Sequence, residues 1–311
     1  MSRLKAIVLG AAAGGGYPQW NCRCPVCRLA WQGDKRVRAR TQASIAVSKD
    51  GENWVLLNAA PDLRAQIAAT PALQPHGMPC AATSQAARGS PIRAVVLTGA
   101  EVDQIAGLLD MRERQPFAIY GSAETLASVA DNPIFAVLAP EVVAQTTVEL
   151  ERPFEVAGIA FELFAVPGKL PLYLERGEPD PTELAEESGA NVGIEISAGG
   201  ARLVFVPGAA LINEALEARF AKADVVMLDG TLFTDDEMIR SGSGAKTGRR
   251  MGHLPIDGAD GSLSALGHLP GRRIYIHINN TNPILVDGSP ERLQVEAAGV
   301  EIAEDGMEIE L

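Results

Sequence analysis

Three cysteines fall within six residues, in Cys22-Arg23-Cys24-Pro25-Val26-Cys27. A C-x-C-x-x-C spacing lets one tight turn offer three thiolates to a single tetrahedral metal. Pro25 stiffens that turn, and Arg23 and Arg28 favour the thiolate form. The set is soft and closed, which points to a structural zinc; three reduced thiols without metal is the alternative reading. A fourth ligand must come from elsewhere. The remaining cysteine, Cys80, sits in a Pro/Ser/Ala-rich loop over 70–91 and is a poor candidate.

A second group of chemically able residues lies at the ends of apolar runs. Ala94 to Leu97 reads as a buried strand, and Ile105, Leu108 and Leu109 read as the core face of a helix. The turn between them carries Glu101, Asp103 and Gln104. Either this turn holds a ligand, or Thr98 and Asp103 only cap the helix. Asp62, Asp229 and His277 close three other apolar runs. The chain has four histidines. His76 and His268 lie beside proline or glycine and read as surface residues. His253 follows Ser241–Gly248, which reads as a mobile loop over the site. Two imidazoles and one carboxylate suit ferrous iron with open positions, and zinc or manganese with less discrimination. Asp229 could instead orient His253 as an acid/base pair.

The elements that must place these groups follow from the pattern. Residues 4–9 read as a strand leading into Gly10–Gly16. That loop lacks the second glycine of a dinucleotide fingerprint, and Tyr17-Pro18 halts the helix such a motif needs. Strands are expected over Ser44–Val47 and Trp54–Asn58, joined by a turn at Lys49–Glu52. Asp62 then serves as an N-cap or a supporting carboxylate for a helix from Leu63. Further strands are expected at 117–120, 145–166, 191–196, 202–206, 224–228 and 274–278. Strands come first in each half and then alternate with helices. That suits two mixed sheets with helices outside, a four-layer αββα sandwich of the α/β (α+β) class. Lys35, Arg36, Arg38 and Arg40 read as a solvated helix face, and 176–190 as an exposed acidic excursion.

The composition narrows the function. The chain has 311 residues, 47% of them hydrophobic, and a formal net charge of −12. Such an acidic chain lacks the basic footprint that nucleic acid requires. It has no apolar run long enough to span a membrane, and its N-terminus reads as a strand, so a cytoplasmic protein is expected.

Several segments then carry a resemblance. Gly14-Gly15-Gly16-Tyr17-Pro18-Gln19-Trp20-Asn21-Cys22 with Cys24 and Cys27, Asn58–Gln66, Val166–Lys169, Asp229–Glu237 and His277–Leu285 resemble the coenzyme pyrroloquinoline quinone (PQQ) synthesis protein B family, within the metallo-β-lactamase superfamily. The resemblance spans essentially the whole chain and implies a single αββα domain over 1–311 with a cysteine-rich zinc loop at 20–28. Against the superfamily's His-x-His-x-Asp-His turn, Asp103 matches the aspartate, while Gly99, Glu101 and Gln104 stand where histidines would. The final histidine is kept as His277. The resemblance therefore implies one metal in place of the usual two-zinc centre. In similar phosphodiesterases and tRNA-processing nucleases an acid near Asp229 partners a histidine near His253. In a similar phosphodiesterase the fourth zinc ligand falls at the position of Asn280. The family implies iron- and O2-dependent hydroxylation of the tyrosine ring in a cross-linked Glu-Tyr precursor. The expected iron ligands are His253, His277 and Asp103, with Glu101, Gln104, Asp62, Asn280 and Asp229 near. Arg64 or Lys169 would hold substrate carboxylates. The expected partners are the quinone precursor, the finished quinone and other proteins of that pathway; a homodimer is left open. A non-enzymatic quinone carrier is the alternative, and a metal-dependent hydrolase the second.

Overall fold

Short apolar runs bounded by turns become strands, and most of them bury both faces. The computed structural model describes residues 3–75, 88–175 and 186–311. His76, Cys80 and most of the acidic excursion (176–185) lie outside the described residues. The strands of the first half are Lys5–Gly10 (β1), Ser44–Ser48 (β2), Trp54–Leu57 (β3), Ile92–Val96 (β4), Phe117–Gly121 (β5) and Val143–Thr147 (β6). The second half holds Phe154–Val156 (β7), Ile159–Ala165 (β8), Val192–Ala198 (β9), Ala201–Val206 (β10), Val225–Asp229 (β11), Arg272–Ile276 (β12), Glu301–Ile302 (β13) and Glu308–Glu310 (β14). They form two seven-stranded sheets, ordered β14-β1-β2-β3-β4-β5-β6 and β13-β12-β11-β10-β9-β8-β7.

Alternation along the strands builds the layers. In β4, Ala94 and Val96 face the space between the sheets, while Val95 and Leu97 face the helices outside. In β11, Val225 and Met227 point between the sheets, and Val226 and Leu228 point outward. Three apolar clusters result, one between the sheets and one under each helical layer. This is the expected αββα sandwich. The outer layers include Leu63–Ala69 (its N-cap is Asp62), Ala123–Asp131, Glu214–Phe220, Ser262–Leu266 and Pro290–Ala297. No helix among the described residues is long and apolar enough to cross a membrane.

The topology gathers the strand ends. Strands β3 to β6 run parallel, as do β10 to β13. Parallel strands bring their carboxyl ends to one edge, where ligands of open α/β sheets collect. The two sheets touch at that edge through an antiparallel bridge between Gly99 and Asn191 and a hydrogen bond from Val192 N to Thr98 O. Ala12, just after β1, bridges both Gln42 and Ile278.

Two local expectations are corrected. Residues 35–40 are not helical, and Arg40 is buried rather than solvated. Its guanidinium donates to Ala303 O and pairs with Glu304, from the far end of the chain. The helix after β4, Val102–Ile105, is capped by Glu101 rather than by Thr98 or Asp103. Glu101 and Gln104 form a reciprocal capping box. Gly107 then lets the chain pass against Ala59 and Ala60, where a Cβ would meet Ala60 O at 2.2 Å.

Candidate active site and metal centre

Five strand ends converge on a cavity of about 480 Å³, lined among others by Glu101, Asp103, Lys169, Thr231, His253 and His277. Asp103 comes from the first turn of the short helix Val102–Ile105 after β4, Asp229 is the last residue of β11, and His277 follows β12. His277 adopts a left-handed backbone, φ 57°. This conformation is uncommon outside glycine and costs backbone energy that the surrounding contacts must offset.

The contacts are specific. His277 Nε2 lies 3.0 Å from Asp103 Oδ2, and its Nδ1 lies 2.8 Å from Thr231 Oγ1. The Thr231 hydroxyl sits 2.5 Å from Asp229 Oδ1 and donates to it. It therefore accepts from His277 Nδ1–H, which aims the other ring nitrogen at Asp103. His253 Nδ1 lies 2.6 Å from Asp229 Oδ2. The two imidazoles stack with centroids 5.3 Å apart.

Electrostatics follow from this geometry. Burial opposes charge on Asp103, but the His277 hydrogen bond and the neighbouring imidazoles outweigh it and hold its carboxyl below the usual range. Burial likewise disfavours charge on His277, but Asp103, Asp229 and Glu101 raise its proton affinity overall. Asp229 behaves as Asp103 does: burial raises it, and His253 and His277 bring it below the usual range.

Which residues could hold a metal is decided by their spare lone pairs. The ligand atoms of Asp229, His253 and His277 lie within 4.8 Å of one another. Yet Asp229 already accepts from His253, Thr231 N, Thr231 Oγ1 and Ala209 N, and it is 1% exposed. A carboxylate so occupied orients a ligand rather than serving as one. Asp103 Oδ2 and His277 Nε2 face each other in the cavity at a separation that two cis ligands of one ion can span. With Nδ1 engaged, Nε2 is the remaining nitrogen of His253. Asp103, His253 and His277 all line the cavity, and two imidazoles with one carboxylate are the donor types that suit a metal with vacant positions.

The cysteines form a separate centre. Cys24 caps the helix Pro25–Trp31 through its sulfur, and Cys27 lies in the first turn. The three sulfurs lie within 4.8 Å of one another. Burial and the hydrogen bond to Cys27 raise the Cys24 thiol, and the same bond lowers Cys27. The side-chain amide of Asn280 sits 3.1 Å from Cys22 Sγ, 3.2 Å from Cys27 Sγ and 3.9 Å from Cys24 Sγ. Its nitrogen donates to the sulfurs, and Asn280 O accepts from Cys24 and Cys27, so this one residue covers the cluster.

Other anticipated residues fall elsewhere. Gln104 hydrogen-bonds Glu101 N and Thr98 Oγ1, so its amide is committed to the turn. Asp62 accepts from Gln42 N and lines a neighbouring hollow, not this cavity. Arg64 is exposed and does not line the cavity. Lys169 does, but Glu101 and Glu175 both hold its ammonium. Thr231 is a site residue that the sequence reading does not single out; its one signal is its place two residues after a strand-end aspartate. A larger hollow of about 800 Å³ lies by the outer helices Glu214–Phe220 and Ser262–Leu266 and holds none of the converging strand-end groups.

The fold and this edge-of-sheet cavity define a protein of the metallo-β-lactamase superfamily, and residues 53–278 match the beta-lactamase superfamily domain. More narrowly, the chain belongs to the coenzyme PQQ synthesis protein B family. It is 53% identical over 311 residues to the protein of that name from Methylobacterium nodulans, covering 99% of this chain and 100% of that one. It is 52% identical to that from Rhizobium meliloti, covering 100% and 99%. The crystal structure of Zn(2+)-bound PqqB from Methylobacterium extorquens superposes with a TM-score of 0.93 at 50% identity, covering 99% of this chain and 100% of that one. A diphosphatase of the PhnP family shares the fold, with a TM-score of 0.69 at 19% identity, covering 99% and 97%.

Proposed function

We propose that this chain acts in PQQ biosynthesis as an iron- and O2-dependent hydroxylase of the tyrosine ring in a cross-linked Glu-Tyr precursor. Family membership supports the pathway. The observation that carries the chemistry is the grouping of Asp103, His277 and His253 on one side of a cavity, with Asp229 and Thr231 fixing the imidazoles from behind. Asp103, His253 and His277 would hold Fe(II), which supplies O2 activation when bound. Asp229 holds His253 through Nδ1, and Thr231 holds His277 through Nδ1, so both rings present Nε2 outward. In the metal-free state Asp103 carries the compensating charge for His277.

Cys22, Cys24 and Cys27 would hold a structural zinc, with the Asn280 side-chain oxygen as the fourth donor once the amide is turned over. The Zn(2+)-bound relative supports a zinc here. The whole chain is taken as one domain with this loop as its N-terminal brace.

One observation favours a carrier instead. The Asp103–His277 pair and the Glu101–Gln104 cap are self-satisfied without metal, as a binding protein for the quinone would allow. Hydrolysis is disfavoured because Gly99, Glu101 and Gln104 supply no imidazoles for a second metal. The test is anaerobic Fe(II) titration followed by O2 uptake with the cross-linked substrate and an added two-electron reductant, which reduces the second oxygen atom to water. Stoichiometric uptake supports the hydroxylase. Tight quinone binding with no uptake identifies a carrier, and turnover with zinc or manganese without O2 identifies a hydrolase.

A further inference from the structure

Two lysines line the cavity, and they differ in what they have left to offer. Lys169 Nζ lies 3.0 Å from Glu101 Oε1 and 2.9 Å from Glu175 Oε1, with its side chain 18% exposed. One ammonium between two carboxylates carries a net negative surplus, so this group does not attract an anion. Glu101 is further fixed by Leu172 N, which donates to its carboxylate. Lys169 is thus a strut that ties the turn after β4 to the short helix Leu172–Leu174.

Lys246 is placed differently. It reaches the cavity from the Ser241–Gly248 loop, which follows the helix Glu237–Arg240. Among the described residues its one ion pair is long, 3.8 Å to Glu175 Oε2, and its side chain is 47% exposed. An ammonium has three donors, and no described residue engages one of them closely. The same Glu175 carboxylate is held at shorter range by Lys169. Among the described residues lining the cavity, Lys246 is therefore the one lysine with uncommitted charge. It faces the cavity that also holds His253 and His277.

We infer that Lys246 is the residue that selects a carboxylated ligand in this cavity, exchanging its long contact with Glu175 for a close one with a ligand carboxylate. This rests on the proposed function only in that the ligand is amino-acid-derived and carries carboxylates; it is independent of iron and of hydroxylation. Charge-assisted hydrogen bonds of this type both tighten binding and choose between an acid and its neutral counterpart.

The test is equilibrium binding by metal-free, full-length protein under nitrogen, followed by tryptophan fluorescence or calorimetry. The probes are PQQ, a planar tricarboxylate, and its trimethyl ester. Lys246→Ala is expected to weaken PQQ about ten-fold, the loss of one charge-assisted hydrogen bond, and to leave the ester unchanged. Lys246→Arg restores most of the affinity. Lys169→Ala, where it folds, keeps the preference for the acid over the ester, because Lys246 remains. An unchanged PQQ affinity in Lys246→Ala, or an equal loss for acid and ester, overturns the inference while leaving the functional reading intact. Failure of the unaltered protein to bind either PQQ or the cross-linked precursor overturns both.

Discussion

His277 Nε2 stands 3.0 Å from Asp103 Oδ2, and this contact joins the end of a strand in one sheet to a turn at the end of a strand in the other. It is also where a metal would compete with a proton. Asp103→Asn keeps an acceptor for the same nitrogen but removes the anionic ligand. The variant is expected to fold and to bind Fe(II) more than about 100-fold more weakly, beyond the 10–100-fold that loss of an orienting partner costs. Anaerobic titration against a chromophoric chelator measures it; retained affinity would remove Asp103 from the ligand set.

Asp229 is expected to act through His253 rather than on the metal. Asp229→Asn leaves one acceptor where the carboxylate serves His253, Thr231 and Ala209 N. Fe(II) affinity should drop about 10–100-fold, as for other orienting carboxylates. A drop as large as that of Asp103→Asn would instead make Asp229 a ligand.

The cysteine centre is expected to be a brace. Asn280 lies three residues after His277, and its amide covers the sulfurs. Cys27→Ser should remove one zinc per chain, measured by plasma emission spectroscopy, and lower the melting temperature by about 5 °C or more. A variant that keeps its zinc shows that another donor set holds it.

Glu237 gives the fold a pH dependence of definite sign. Its buried carboxyl accepts from Phe233 N and Thr281 Oγ1. Burial still dominates and raises its pKa from 4.5 to about 7. The unfolded chain releases this proton near 4.5, the folded chain only near 7. Stability from this group is therefore undiminished below pH 4.5, declines between 4.5 and 7, and is level above. The loss amounts to about 3 kcal/mol at full effect. Glu237→Gln should flatten the slope of denaturant stability between pH 5 and 7; an unchanged slope would assign it to other groups.

Much of this architecture is legible in the chain itself. Strands such as Val225–Asp229 are apolar on both faces, and that pattern is local. The convergence of Asp103, Asp229 and His277 follows from strand ends alone. The rest depends on distant partners. Arg40 reads as a surface cation because its partner Glu304 lies 264 residues away. The strand Glu308–Glu310 is three residues long and exists because β1 has a free edge for it. Thr231 carries no chemical signature of its own; only the placement of His277 opposite it reveals its role. Lys169 and Lys246 look alike until their carboxylate partners are seen.

The turn at Gly99–Gln104 has a final consequence. The resemblance to the superfamily's metal-binding turn puts Gly99, Glu101 and Gln104 where its histidines would fall. A Cβ at Gly99 would meet Gln104 Oε1 at 2.6 Å and Ala190 O at 2.9 Å. Glu101 and Gln104 cap the helix reciprocally, and Glu101 also anchors Lys169. Gln104 meets both Gly99 and Glu101, so a histidine at any of the three positions undoes the cap or meets a clash. Packing and capping thus hold this turn in its present form, and an imagined imidazole here would have to displace a structural partner before it could reach an ion.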